Sequence, residues 1–246
     1  MPRFFIRQNQ IEETDGIKTV NILGDDAHHI SRALRMAAGE KIEVADMQKN
    51  LYLCELNGFF EGHVTARVLS EGKVDTEPPY FLRLYQALAK GDKMETIIQK
   101  SIECGACEIV PFASERCVVK LDKRDEPKKI DRWQKIAEGA AKQSGRGMVP
   151  TVKSVLSFKE VVSSLSGTVL FCYEGEDTRS IKEALKGITV KDDISVIIGS
   201  EGGFSQKEAD ALREAGAISV GLGKRILRCE TAPTFALACI AYELEL

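Results

Sequence analysis

Two short stretches hold the residue types from which a ligand site can be built: Ile198-Gly199-Ser200-Glu201-Gly202-Gly203-Phe204 and Gly221-Leu222-Gly223-Lys224-Arg225-Ile226-Leu227-Arg228-Cys229-Glu230-Thr231-Ala232. Each joins an apolar, strand-like run to a helix signal, and the small residues let backbone N–H groups come close to a bound molecule. The spacing excludes two common nucleotide sites. Gly221-Leu222-Gly223 follows one of the last strands and has no third glycine, so it is not a dinucleotide fingerprint. Lys224 precedes Arg225, and the four-residue gap of a Walker loop is missing.

Together with Lys93-Met94-Glu95, Gln99-Lys100, Pro111, Ser114-Glu115-Arg116 and the run Glu138 to Arg146, these loops resemble the RsmE-type 16S ribosomal RNA uridine-N3 methyltransferases. That family is a branch of the trefoil-knotted SPOUT methyltransferases. The blocks occur in order nearly end to end. The resemblance implies S-adenosylmethionine as methyl donor, with Ile198, Gly199, Ser200, Glu201, Gly202, Gly203, Leu222, Gly223, Ile226, Leu227, Cys229, Thr231 and Ala232 around it. Leu222, Ile226 and Leu227 suit the walls of an adenine slot, which needs no pyrophosphate cradle. Two positions depart from the family pattern. Ser200 stands where proline is usual, which frees that φ angle, and Cys229 replaces threonine, a stronger hydrogen-bonding group. Glu201 has two readings, a contact to the donor's ribose or amino group and a cap on the helix beginning near Ser205.

Methylation of uridine N3 requires removal of a ring proton and stabilisation of charge spreading onto the neighbouring carbonyls. Arg228 suits that charge. Glu230 reads as a proton acceptor, as an orienter of the arginine, or as a helix-dipole partner. Arg116, beside Glu115, reads as an RNA contact held by a Glu–Arg pair. Lys142, Gln143, Ser144 and Arg146 end a basic helix and suit a flipped base, its sugar and a phosphate, against the plainer reading of a polar last turn. From Lys120 to Arg146 there are nine Lys or Arg against five Asp or Glu, an excess of four. Arg3, Arg7, His28, Arg32 and Arg35 extend the expected RNA surface. Rival readings are a knotted ribose 2′-O-methyltransferase and a noncatalytic ribosome assembly factor.

Positioning these residues takes two architectures. Residues 1–72 carry period-two runs (4–7, 19–23, 41–45, 51–56 and 63–69), punctuated by Asp15-Gly16, Asn57-Gly58 and Glu61-Gly62. One short helix is expected from Asp26 to Met36, capped by Asp25 or Asp26, with His28, Arg32 and Arg35 on one side. This pattern makes a β-barrel, and the resemblance implies a PUA-like RNA-binding domain. Residues 73–79 end in Pro78-Pro79 and read as a linker. From residue 80 to 246 strands and helices alternate, which makes an α/β domain with a mainly parallel sheet. Ser205 with Glu208, and Asp92 with Glu95, form capping-box patterns. The strand and helix pattern carries no knot; the trefoil is implied by the resemblance alone.

The bulk properties agree with a folded protein: 246 residues, 43% hydrophobic, 29% charged. A formal net charge of -3 excludes nucleic-acid binding by bulk electrostatics and leaves it to local patches. No apolar run reaches the roughly 20 residues needed to span a bilayer, and the N-terminal run is too short for a signal peptide. Seven cysteines fit a reducing cytoplasm. Cys104 and Cys107 form a CxxC without the further ligands that zinc needs, so no metal is expected. The expected partner is 16S ribosomal RNA or the small ribosomal subunit. The resemblance implies a homodimer, and the apolar final helix with Phe235, Leu237, Ile240 and Leu244 permits one.

Overall fold

A computed structural model describes residues 1–175, 178–190 and 192–246. The chain divides into one unit of Met1–Glu77 with Ala141–Val149 and a second of Pro78–Ala140 with Pro150–Leu246.

In the first unit, strands β1 (Arg3–Phe5), β2 (Ile11–Thr14), β3 (Ile17–Leu23), β4 (Lys41–Ala45), β5 (Asn50–Phe60) and β6 (His63–Lys73) form a six-stranded sheet in the order β1-β4-β5-β6-β3-β2. Only β1 and β4 run parallel. Alternate residues face inward: Val20 and Ile22 of β3 and Val64 and Ala66 of β6 meet Phe4, Ile42, Val44, Cys54 and Leu56 in one core. One core drawn from β1, β3, β4, β5 and β6 is the signature of a barrel-like wrap. Asp15 and Gly16, with φ of 53° and 75°, turn β2 into β3 as a primed hairpin turn requires. Asn57-Gly58, expected to end a strand, instead lies inside β5, where the register with β6 shifts.

The expected helix over Asp26 to Met36 is shorter. Helix α1 (Gly24–His28) passes into a π-type turn at His29–Ala33. Leu34 N donates to His29 O and Met36 N to Ile30 O, and Arg35 takes the left-handed φ of 52° that stops the helix. Arg35 therefore leaves the face shared by His28 and Arg32. Neither Asp25 nor Asp26 caps α1, which starts after Leu23 without a side-chain cap.

The expected boundary at residue 72 and linker at 73–79 also shift. The Glu77 carboxylate accepts from the Arg146 guanidinium at 2.8 Å, from Gly147 N at 2.7 Å and from Met148 N at 3.2 Å, which holds Glu77 and the 141–149 segment in the first unit. Burial opposes the Glu77 charge, but these donors outweigh it and hold its carboxyl below the usual range.

The second unit contains β7 (Phe81–Ala87), α2 (Lys93–Glu103), β8 (Glu108–Ala113), most of α3 (Glu126–Gln143), β9 (Thr151–Val152), β10 (Leu156–Ser157), α4 (Phe158–Ser164), β11 (Thr168–Cys172), β12 (Arg179–Ser180), α5 (Ile181–Leu185), β13 (Asp193–Ile198), α6 (Gln206–Glu214), β14 (Ile218–Gly221) and α7 (Thr231–Leu244). Its eight-stranded sheet runs β10-β8-β7-β13-β11-β14-β12, with β9 beside β8, and every pairing is parallel. β13 is buried along Ile194–Ile198, as a central strand covered on both faces must be. One core joins Tyr85, Phe112, Phe171 and Ile197 of the sheet to Val161 of α4 and Ala209 and Leu212 of α6. Short β9, β10 and β12 are too brief to show a period. Among the described residues no helix is long and apolar enough to cross a membrane, and no group of three or more His, Cys, Asp or Glu is placed to hold a metal ion.

Candidate active site

The first glycine-rich loop leaves the C-terminal end of β13. Ser200 and Gly203 bridge antiparallel, with Gly203 N donating to Ser200 O at 2.9 Å, so the loop folds back on itself. A Cβ on Gly199 would stand 3.0 Å from the Gly203 carbonyl carbon, a tight contact with backbone. A side chain there would push the Gly203 backbone aside by a few tenths of an ångström. Arg116 Nη1 donates to Gly202 O at 3.0 Å. Behind the loop, Ser205 Oγ accepts from Glu208 N at 3.3 Å while Glu208 Oε2 accepts from Ser205 N at 2.9 Å, the expected capping box of α6. Ser205 Oγ also donates to Glu115 Oε2 at 2.7 Å, and Glu115 N donates to Glu208 Oε1 at 2.8 Å. Glu115 thus pairs with α6 and not with Arg116. The 114–116 block braces the loop.

Of the two readings of Glu201, the helix cap does not hold, because its carboxylate is tied to the segment around Lys90 and Lys93. Its Oε1 accepts from Lys90 N and from Lys93 Nζ, each at 3.0 Å, and it does not cap α6. Burial penalises its charge, yet the N–H donors of Lys90 and of Glu201 itself, with the Lys93 ammonium, bring the carboxyl down to about 2. The same ammonium lies 3.6 Å from Glu230 Oε2 and 3.8 Å from Cys229 Sγ on the second loop. Cys229 donates to Glu230 Oε2 at 3.2 Å, and its burial pushes the thiol up to about 12. Burial works against the Glu230 charge as well, but its own N–H, the Cys229 thiol and Lys93 hold its carboxyl below the ordinary value. A carboxyl lowered in this way is a weaker base than a free one.

The second loop leaves β14. Leu222 and Leu227 are half-buried, whereas Ile226 is 82% exposed, so of the three expected slot walls only two stand against the chain. Cys229 is buried, Gly223 and Thr231 are exposed and Ala232 is half-buried. Arg228 is exposed; its carbonyl accepts from Thr231 N and Ala232 N, both at 2.9 Å, which starts α7. Among the described residues no hydrogen bond or ion pair engages its guanidinium.

Two residues of this site carry no assigned role in the sequence reading: Lys93 stands there only within a resemblance block, and Gln86 does not appear. Lys93 opens α2, where a cation opposes the helix dipole, and that misfit is a signal of a partner. Gln86 is a fully buried amide in β7 whose Nε2 donates to Ala87 O at 3.0 Å and Gly199 O at 3.4 Å. Its Oε1, like Ser200 Oγ, is buried with no partner among the described residues.

The chain matches the model of an RNA methyltransferase domain over residues 76–241 and that of an RNA methyltransferase PUA domain over residues 22–69. It is 36% identical to the ribosomal RNA small subunit methyltransferase E of Bacillus subtilis, covering 100% of this chain and 98% of that one. The chain belongs to this RNA methyltransferase family. A crystal structure of a ribosomal RNA small subunit methyltransferase E from Neisseria gonorrhoeae, bound to S-adenosyl methionine, superposes with a TM-score of 0.85 at 32% identity, covering 99% of this chain and 98% of that one.

In this family member the residues expected to face RNA divide sharply. Arg7, His28, Arg32, Arg35, Arg116 and Gln143 are exposed, and Ser144 is half-buried. Arg3 is withdrawn: Nε and Nη2 donate to Glu43 Oε2 at 3.0 and 2.7 Å, and Nη1 donates to Gly145 O. Arg146 is 4% exposed and spent on Glu77, so it cannot hold a phosphate in this conformation. Lys142 pairs with Asp26 at 2.6 Å and lies over the Phe4 ring. Asp92, expected to cap α2 with Glu95, makes no cap; Glu95 pairs instead with Arg132 at 2.7 Å.

Proposed function

We propose that this protein transfers the methyl group of S-adenosylmethionine to N3 of a uridine in 16S ribosomal RNA of the small subunit. Methylation of small subunit RNA is carried by the full-length similarity to the Bacillus subtilis small subunit methyltransferase E, 36% identical over the whole chain, and the N3 position by the resemblance of the two loop segments to the uridine-N3 methyltransferases. The donor fits the residues present. The packed turn at Gly199 offers backbone and no side chain, Ser200 Oγ and Gln86 Oε1 are buried without partners among the described residues, and Leu222 and Leu227 supply apolar surface. Ile198 to Gly203 and Leu222 to Ala232 would hold it. When bound, the donor supplies an activated methyl on a sulfonium.

The chain's own residues supply the rest. Arg228, unpaired within the described chain and beside the buried Cys229, is placed to stabilise negative charge on a uracil carbonyl. Glu230, held anionic, orients the second loop through Cys229 and Lys93 and is ill suited to take the N3 proton. A uridine must leave its stack to reach such a site, which costs least in a loop or bulge and favours folded or assembled ribosomal RNA over free nucleoside. Arg7, His28 and Arg32 position the RNA backbone from the PUA domain.

The reading includes a cytoplasmic homodimer and the trefoil knot. α7 buries Leu237 and Ile240 but exposes Phe235 at 37% and Tyr242 at 72%, an apolar face suited to a second copy. β13 sits between β7 and β11, both earlier in the chain, an insertion consistent with threading. The test is incubation of purified protein with methyl-labelled S-adenosylmethionine and small subunits, followed by nucleoside mass spectrometry. The expected product is 3-methyluridine. A label on ribose, or none, would refute the proposal.

A further inference from the structure

We propose that Lys93 is a positioning residue that clamps the two glycine-rich loops into one donor site, an inference that rests on the methyltransferase reading above. The loops leave β13 and β14, which are not neighbours: β11 lies between them in the sheet. Both strands pair with β11, which fixes their separation, but no ladder joins β13 directly to β14, so the loops beyond the strand ends need a tie of their own. Each loop carries a carboxylate, Glu201 on the first and Glu230 on the second, and Lys93 Nζ stands 3.0 Å from one and 3.6 Å from the other. The ammonium comes from a third element, the first residue of α2, whose dipole disfavours a cation at that end. Two carboxylates facing one site repel when nothing lies between them. Lys90 N, from the turn leading into α2, adds a second bond to Glu201 at 3.0 Å. The side chains of Lys93, Glu201 and Glu230 are 34%, 28% and 23% exposed, partly desolvated yet within reach of solvent. The clamp thus sets loop spacing and leaves Arg228 free for substrate.

Calorimetric titration of S-adenosylmethionine into the full chain tests this. Lys93→Ala weakens donor binding by about tenfold, and Lys93→Arg, which keeps the charge, stays within about threefold of the parent. Lys100→Ala removes a lysine of the same helix that pairs with Glu103 at 2.8 Å, and it binds as the parent does. The decisive reading is a reversal of sign. Glu230→Gln weakens binding in the parent but strengthens it in the Lys93→Ala background, because there it relieves repulsion from Glu201. A purely structural lysine would give no reversal, and equal affinity of Lys93→Ala and parent would overturn the clamp. A parent protein with no saturable donor binding would overturn the methyltransferase reading itself. Should Lys93→Ala fail to fold, as judged by its melting curve, Lys93→Met with and without Glu230→Gln gives the same two readings.

Discussion

Two ionic ties, one in each unit, differ in depth. Glu77 and Arg146 are 7% and 4% exposed at the side chain and bind with several hydrogen bonds. Lys93 and Glu201 are 34% and 28% exposed and share one bond. The first removes charge from water and must be complete to be tolerated; the second stays open and can adjust. A sequence shows only that both arginine and lysine are basic. Depth decides that Arg146 is scaffold for the 141–149 segment, whereas Lys93 belongs to the site.

The largest expected effect breaks the deep tie. Arg146→Met strands the Glu77 carboxylate and costs about 3–5 kcal/mol in urea unfolding; a loss below about 1 kcal/mol would place that tie among surface pairs. Next, Arg228→Ala lowers methyl transfer about 10²–10³-fold with an unchanged melting temperature, since the guanidinium holds no partner inside the described chain. Gly199→Ala, forced against Gly203, raises the donor concentration needed for half-maximal rate while the first unit keeps its stability.

Acid sharpens the same comparison. The Glu77 carboxyl is lower when folded than unfolded, so its contribution to stability is complete above the unfolded value of about 4.3 and is lost as pH falls through the folded value. Glu77→Gln removes that acid-side loss, and a denaturation profile from pH 7 to 3 would show a shallower fall than in the parent. The smallest effect is Arg32→Ala on RNA affinity. It weakens binding alike for all sequences and reduces the salt slope by about 1, as measured by filter binding across ionic strength.

Much of this was readable from local chemistry. Ser205 and Glu208, three residues apart, announce a cap, and the alternating apolar residues of β3 and β6 announce an inward face. Asn57-Gly58 misled because a turn dipeptide can equally serve a bulge, and the helix over Asp26 to Met36 fell short because Arg35 adopts a left-handed turn that residue type does not advertise. Partners far apart in sequence were illegible. Nothing local pairs Glu77 with Arg146, Lys142 with Asp26 or Glu115 with Ser205, so charges that suited RNA turned out to hold the chain to itself. The family resemblance supplied the donor and the loops but left Glu201 undecided, because its tie to Lys93 joins residues that only the fold brings together.

Under the proposed function, one uridine of the small subunit RNA carries a methyl on N3 because of this protein. Mass spectrometry of 16S ribosomal RNA from cells lacking it tests that directly: a single 3-methyluridine is lost, restored by the parent gene and not by Arg228→Ala. Full retention of every methylated uridine would contradict it.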